Sequence, residues 1–252
     1  MVVIAVTGKG GTGKTAVAAL LVKFISEITS NVLAVDADPD SNLPDALGVE
    51  VDKTLGDVRE LFQVTRESLG TVDKESWLEG KIFEVIHEFD NFDLLVMGRP
   101  EGEGCYCFVN NLLRGILKKF MRHYDYVIVD CEAGLEHFSR KTIESADYII
   151  VVTDTSRKGL KTAKKIRELA KELNLKFKEI FLVGNKIVGD EAKEIIKDFA
   201  KKENFVLLDL LPYDEKVVEL DLKGEPIINL PEDSEFAKKV RFIAEVLTRW
   251  GS

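Results

Sequence analysis

Cysteine is scarce: Cys105, Cys107 and Cys131 are the only three in 252 residues. Three cannot build a disulfide framework, and in a reducing compartment they are free, redox-active or metal-bound thiols. Positive charge is in deficit as well. The 35 Lys and Arg against 44 Asp and Glu leave a formal net charge of −9, and with no basic stretch this argues against non-specific DNA or RNA binding. No apolar run approaches the roughly 20 residues that cross a bilayer, so stable membrane insertion is not expected. Met1 leads straight into Val2-Val3-Ile4-Ala5-Val6, a start that does not read as a secretory leader with its basic region and cleavage site, and a cytoplasmic location is expected. Gln63 is the sole glutamine and 31% of residues are charged, a composition that hyperthermophile proteins tend to share and that says nothing of function. No repeat, low-complexity segment or Pro/Gly/Ser-rich linker divides the chain. With 45% hydrophobic residues it can bury one sizeable core, so residues 1–252 are read as a single domain.

What is present is alternation. Short β-branched runs at 2–7, 32–36, 93–97, 126–130, 148–153, 179–183 and 205–210 are interleaved with helix-period stretches at about 14–27, 110–122, 158–173, 190–203 and 234–250. The strand runs are almost continuously apolar, as in strands buried on both faces of a parallel sheet. An α/β fold is expected: a doubly wound, mostly parallel sheet flanked by helices, with ligands at the carboxyl ends of the strands. The segment 40–91 is more polar and less periodic, and is expected to pack as short helices beside the ligand site.

The strongest motif is Gly8-Lys9-Gly10-Gly11-Thr12-Gly13-Lys14-Thr15, set between the first strand and the first helix. This is the context of a phosphate-binding loop. Glycines let backbone N–H groups turn inward as an anion nest, and the following helix N-terminus adds its dipole. Lys14 can reach the β/γ-phosphates of ATP while the Thr15 hydroxyl coordinates Mg²⁺.

Lys9, a second lysine inside the loop, makes GKGGTGKT resemble the deviant Walker A ATPases. That family includes the Min and Par positioning ATPases, arsenite and tail-anchor ATPases, and the nitrogenase iron protein. The resemblance implies a single P-loop ATPase domain in which Lys9 reaches the nucleotide of a facing subunit, so that ATP holds a homodimer together. Asp36-Ala37-Asp38-Pro39-Asp40 closes the second strand where the family has its first switch. By that match Asp38 positions the attacking water and contributes to the Mg²⁺ site, and Asp36 supports the metal's shell; carboxylates suit both tasks. Val127-Ile128-Val129-Asp130 is an apolar strand ending in an acid, like Walker B, with Asp130 holding a Mg²⁺-bound water, and the second switch follows at 132–137. Asn185-Lys186 and Pro212-Tyr213, each after a strand, match the places where the family contacts adenine. Asn and Pro are also ordinary turn residues.

Cys105 and Cys107 stand one residue apart in Gly102-Glu103-Gly104-Cys105-Tyr106-Cys107, just before a helix-period stretch. The glycines place both thiols in a loop, where residues two apart can point the same way. A following helix N-terminus would favour the thiolate, and a disulfide across one residue would be strained. One pair supplies half of a tetrahedral soft-metal site, which a two-fold dimer could complete; alternatively these are two small buried hydrophobes. With Asn110-Asn111-Leu112-Leu113 after the pair, and Asp130-Cys131-Glu132-Ala133-Gly134-Leu135-Glu136-His137, the chain is similar to the CooC-type ATPases that deliver nickel to carbon monoxide dehydrogenase. That resemblance implies Ni²⁺ or Zn²⁺ bound by the Cys105/Cys107 pairs of two subunits, and a client metalloenzyme. Cys131 is either core or a third ligand.

Two other functions compete. A Min/Par-type ATPase acting at a membrane or DNA would use an amphipathic C-terminal helix, and Phe236, Val240, Ile243, Leu247 and Trp250 do form one stripe. Such a stripe is more often the core face of a final helix, and Glu235 and Glu245 weaken attraction to anionic lipid. An iron–sulfur ATPase like the nitrogenase iron protein would hold a cluster between subunits, but with cysteines far apart in sequence rather than paired.

Overall fold

The computed structural model describes residues 1–65, 69, 73–98, 107–132, 146–172 and 177–251, with backbone alone at 107–112, 114 and 251. Eight strands form one sheet: β1 (Val2–Gly8), β2 (Val32–Asp36), β3 (Ile86–Glu88), β4 (Asp93–Val96), β5 (Tyr126–Asp130), β6 (Tyr148–Thr153), β7 (Glu179–Ile187) and β8 (Val206–Pro212). Their order is β3-β4-β2-β5-β1-β6-β7-β8. All neighbours are parallel except β3, which runs antiparallel to β4 at the edge. Every residue of β1, β2 and β6 is buried, as the apolar runs required. Side chains alternate across the sheet with period two. Val3 and Ala5 enter one core while Val2, Ile4 and Val6 enter the other.

Helices cover both faces. On one lie α1 (Lys14–Ser26), the short α2 (Leu43–Leu47) and the C-terminal α9 (Glu235–Gly251). On the other lie α3 (Leu55–Thr65), α4 (Lys74–Phe83), α5 (Cys107–Met121), α6 (Arg157–Glu172) and α7 (Gly189–Lys202). A further helix, α8 (Glu215–Lys223), follows β8. The doubly wound architecture expected from the alternation is therefore present. Four of the five stripe residues are core: Phe236, Val240, Ile243 and Leu247 are each 2% exposed or less, whereas Trp250 is exposed, with its ring against Phe181 at a centroid distance of 5.4 Å. Among the described residues no helix is long and apolar enough to cross a membrane.

Several expectations change. The segment 40–91 does form short helices: α2 lies by the ligand end of β2, while α3 and α4 join the opposite core through Leu55, Val58, Phe62, Leu78 and Ile82, α3 reaching the end of β4 through the bond from Arg59 to the Met97 carbonyl. Within the described residues α5 is helical from Cys107, three residues before its periodicity predicted, so Cys107 lies in a helix and not in a loop. The strand β7 runs on to Ile187, and Asn185 and Lys186 lie at a register shift between the Gly184 and Ile187 pairs with β8.

Candidate functional site

The central strand β1 has β5 on one side and β6 on the other, and the chain winds away from it in both directions. That is the topological switch point at which doubly wound sheets open a crevice beyond the strand ends. The loop from Gly8 to Thr15 fills this place. Gly8 has no room for a side chain, because a Cβ would fall well inside contact distance of the Val152 carbonyl oxygen. Gly13, at φ 88°, sits in the left-handed region that glycine adopts freely, and it delivers the chain into α1. The Thr12 hydroxyl donates to the Lys9 carbonyl at 2.7 Å, closing the turn. Lys14 is 7% exposed, while Lys9 is half-buried and makes no ion pair among the described residues.

Two acids face the start of α1. Asp36 ends β2 and Asp130 ends β5, and the two are register partners across adjacent parallel strands. Val6 occupies the same row on β1. The alternation that sends Val32, Ala34 and Ile128 into the α1-side core aims both carboxyls to that side. Asp36 is fully buried, and backbone amides use both of its oxygens: Oδ1 accepts from Asp38 at 3.0 Å and Oδ2 from Leu43 at 2.9 Å. It thereby fastens the turn that carries Asp38 to the start of α2. Burial, partly offset by these two bonds, pushes its pKa up to about 6. Asp38 is half-buried, and its Oδ1 accepts from the Asp40 amide at 3.1 Å.

Asp130 is 1% exposed. Burial pushes its pKa up to about 7, against the Thr15 hydroxyl that donates to it and the nearby Lys14 ammonium, which favour the anion. Its Oδ1 is buried with no hydrogen-bond partner among the described residues. An orphaned carboxylate oxygen beside a threonine hydroxyl at the mouth of an anion nest is a hard-oxygen donor set, and it fits Mg²⁺ held through water. The next residue points the other way. Cys131 is 1% exposed in the opposite core, with its thiol donating towards the Val129 carbonyl at 3.8 Å, and burial raises its pKa strongly. It is a core residue, not a thiolate ligand.

At the far side of the site, Asn185 is 3% exposed and Nδ2 donates to the Thr12 carbonyl at 2.8 Å. Lys186 donates through Nζ to the Gly11 carbonyl at 2.9 Å. Sequence reasoning expected these two beside a base; what the structure shows is a tie to the loop backbone, for Asn185 a contact between residues 173 apart that no local pattern signals. Pro212 pairs with Ile187 at the end of β8, and the Tyr213 amide donates to the Ile187 carbonyl at 3.1 Å, with Tyr213 itself half-exposed. Thus the sheet brings Gly8–Thr15, Asp36, Asp38, Asp130, Asn185, Lys186, Pro212 and Tyr213 to one edge. Cys105 and residues 133–137 of the second switch lie outside the described residues, and Cys107 is described by its backbone alone. Among the described residues no group of three or more His, Cys, Asp or Glu could hold a metal ion.

Comparison with known proteins agrees with this geometry. Residues 3–227 match the CbiA family, the CobQ/CobB/MinD/ParA nucleotide binding domain. An uncharacterised ATP-binding protein of Methanocaldococcus jannaschii is 52% identical over 246 residues, covering 96% of this chain and 97% of that one. The carbon monoxide dehydrogenase accessory protein CooC of Rhodospirillum rubrum is 33% identical over 233 residues, 88% of this chain and 87% of that protein. Among solved structures, the septum site-determining protein MinD of Pyrococcus horikoshii, complexed with Mg-ADP, superposes with a TM-score of 0.73 at 25% identity over 100% of this chain and 97% of that one.

Proposed function

The chain belongs to the CobQ/CobB/MinD/ParA nucleotide-binding family, and from that premise we propose that it is a Mg²⁺-dependent ATPase that dimerises around ATP and carries Ni²⁺ or Zn²⁺ as cargo for a client metalloenzyme. The buried, unpartnered Oδ1 of Asp130 carries the ATPase part of this reading. Mg²⁺ there would neutralise charge on the β- and γ-phosphate oxygens. Thr15 would hold it directly and Asp130 through water. Lys14 and the amides of the loop bind the phosphates, and Asp38 orients the attacking water. Asn185, Lys186, Pro212 and Tyr213 border the adenine. Lys9, free of intramolecular ion pairs among the described residues, reaches the phosphates of the facing subunit. Hydrolysis is slow until the client engages, since a switch that fires alone delivers nothing.

The cargo part rests on sequence: the Cys105/Cys107 pair, and the 33% identity to a carbon monoxide dehydrogenase accessory protein. Two pairs brought together by a two-fold axis supply four thiolates, the tetrahedral soft-ligand set that suits Zn²⁺ and related ions. Carbon monoxide dehydrogenase is the client this favours. Burial of the C-terminal stripe weighs against the membrane-positioning alternative, whose helix would have to be free. The test is metal titration under anaerobic, reducing conditions. Wild type should bind one ion per dimer, with Ni²⁺ giving sulfur-to-metal charge-transfer absorption in the near ultraviolet and Zn²⁺ competing for it. A double variant with both residues replaced, Cys105→Ser/Cys107→Ser, should lose this and keep ATP binding. Equal affinity and stoichiometry in the two proteins would leave a dimerising ATPase without metal cargo, and iron with acid-labile sulfide in the purified protein would move the reading to an iron–sulfur ATPase.

A further inference from the structure

Consecutive carbonyls of the phosphate loop are held by consecutive residues of β7, two strands away. Asn185 donates from Nδ2 to Thr12 O at 2.8 Å, and Lys186 donates from Nζ to Gly11 O at 2.9 Å. The pair is internally locked, since Asn185 Oδ1 accepts from the Lys186 amide at 2.7 Å. In a trans peptide the C=O and N–H point in opposite directions, and none of the described peptide bonds is cis. Drawing the Thr12 carbonyl out towards β7 therefore turns the Gly13 N–H to the inner side of the loop. Drawing out the Gly11 carbonyl likewise sets the Thr12 N–H, which donates to Lys9 O at 3.3 Å.

Two further features mark this as a built brace. The Asn185 amide occupies the space that any Cβ on residue 13 would need, well inside contact distance. Lys186, a non-glycine residue, is held at φ 59°, a left-handed conformation that persists only where the surroundings impose it. Those surroundings are the bond from its amide to Asn185 on one side and the Tyr213–Ile187 bond on the other.

We propose that Asn185 and Lys186 are positioning residues for polyphosphate whatever base the nucleotide carries, Asn185 by turning the Gly13 amide inward and Lys186 by holding the Lys9–Thr12 turn that shapes the loop. This rests on the phosphate-loop reading above and adds to the adenine-side role given to the same two residues. The experiment compares Mg²⁺-tripolyphosphate, which has no base, with Mg²⁺-ATP by isothermal titration to wild type, Asn185→Ala, Lys186→Met and Lys186→Arg. Removing the buried Asn185 donor should weaken tripolyphosphate about tenfold and ATP by at least that factor, the excess being its adenine-side part. Lys186→Met should weaken tripolyphosphate by a smaller factor, because its bond is exposed, and ATP by at least as much, and Lys186→Arg should recover most of the tripolyphosphate loss. Lys186 is at the surface, so its substitution leaves the fold in place even if Asn185→Ala, which strands the Thr12 carbonyl, does not. Tripolyphosphate binding unchanged by Lys186→Met while ATP binding falls would overturn the proposal and leave a base contact alone. Both ligands unchanged would overturn it too, and a wild type that binds neither would take the phosphate-loop reading down with it.

Discussion

At Asp130 a carboxyl is buried against the start of α1, and burial pushes its pKa up to about 7; its strand neighbour Asp36 is pushed up to about 6. Both values lie above the ordinary 3.8, so between these limits the folded chain holds protons that the unfolded chain has released. By linkage, the stabilisation from this pair is whole below about pH 3.8 and is lost as pH rises through about 6 and then about 7. A nucleotide site assembled this way is less stable at the pH at which its acids are ionised for metal. Asp130→Asn, a neutral isostere, should therefore raise the thermal midpoint of the nucleotide-free protein at pH 8 and flatten its decline between pH 5 and pH 8, while weakening Mg²⁺-dependent ATP binding. Differential scanning calorimetry at both pH values checks this, and a lowered midpoint at pH 8 would refute it. The position of Asp130 was legible because an apolar strand ending in an acid, on its own often just a turn, stood in one chain with the phosphate loop and the Asp36–Asp40 segment. That Cys131 turns into the opposite core follows from the period-two alternation of the same strand. The bonds of Asn185 and Lys186 to the loop were not legible, since they depend on β7 standing two places from β1 and running on to Ile187.

Among the elements, those with a strong period were readable and those without one were not. The apolar runs of β1, β2, β5 and β6 match the observed strands to within a residue, because both faces of these strands are covered. The edge strand β3 escaped notice: Ile86-His87-Glu88 is too short and mixed to form a run, and it pairs on one side only. The helix α8 was missed although its punctuation was present, with the Asp214 carboxylate accepting from the Lys216 amide at 2.9 Å and Gly224 at φ 65° ending it. None of its residues is buried, so the core imposed no stripe to find. The C-terminal helix is the opposite case. Val240, Ile243, Ala244 and Leu247 are fully buried in the core shared with α1, whereas Phe242 is 52% exposed. Leu247→Ala should cost about 2–5 kcal/mol of unfolding free energy, and Phe242→Ala less than about 0.5 kcal/mol. Denaturant unfolding of the two variants decides it. Similar small losses would mean that α9 is a detachable segment, free to serve as the amphipathic anchor of a positioning ATPase.

At the scale of the whole molecule, charge sets a problem for the dimer. Each chain carries a formal charge of −9, and bound ATP adds more negative charge at the face through which two copies would meet. Lys9 is the counterweight in the proposed arrangement: a cation from each copy aimed at the phosphates of the other. Two electrostatic contributions of opposite sign then act on association. The long-range repulsion between acidic copies runs through solvent and is screened once the Debye length falls to about 10 Å near 0.1 M salt, while the Lys9–phosphate pairs are enclosed at the interface and screened much less. Raising ionic strength from about 0.03 M to about 0.3 M should therefore strengthen the ATP-dependent dimer, contrary to the behaviour of a contact held by surface ion pairs. The measurement is light scattering or sedimentation velocity with Mg²⁺ and a non-hydrolysable ATP analogue, across a salt series. Lys14→Ala should abolish both nucleotide binding and dimerisation. Lys9→Ala should keep ADP affinity within about threefold, a difference well under 1.4 kcal/mol, yet lose the dimer at every salt concentration. If the two lysine variants behave alike, Lys9 acts within its own subunit and the facing-subunit contact is wrong. If wild-type dimerisation instead weakens steadily with salt, exposed ion pairs hold the copies together, and the nucleotide is not enclosed between them.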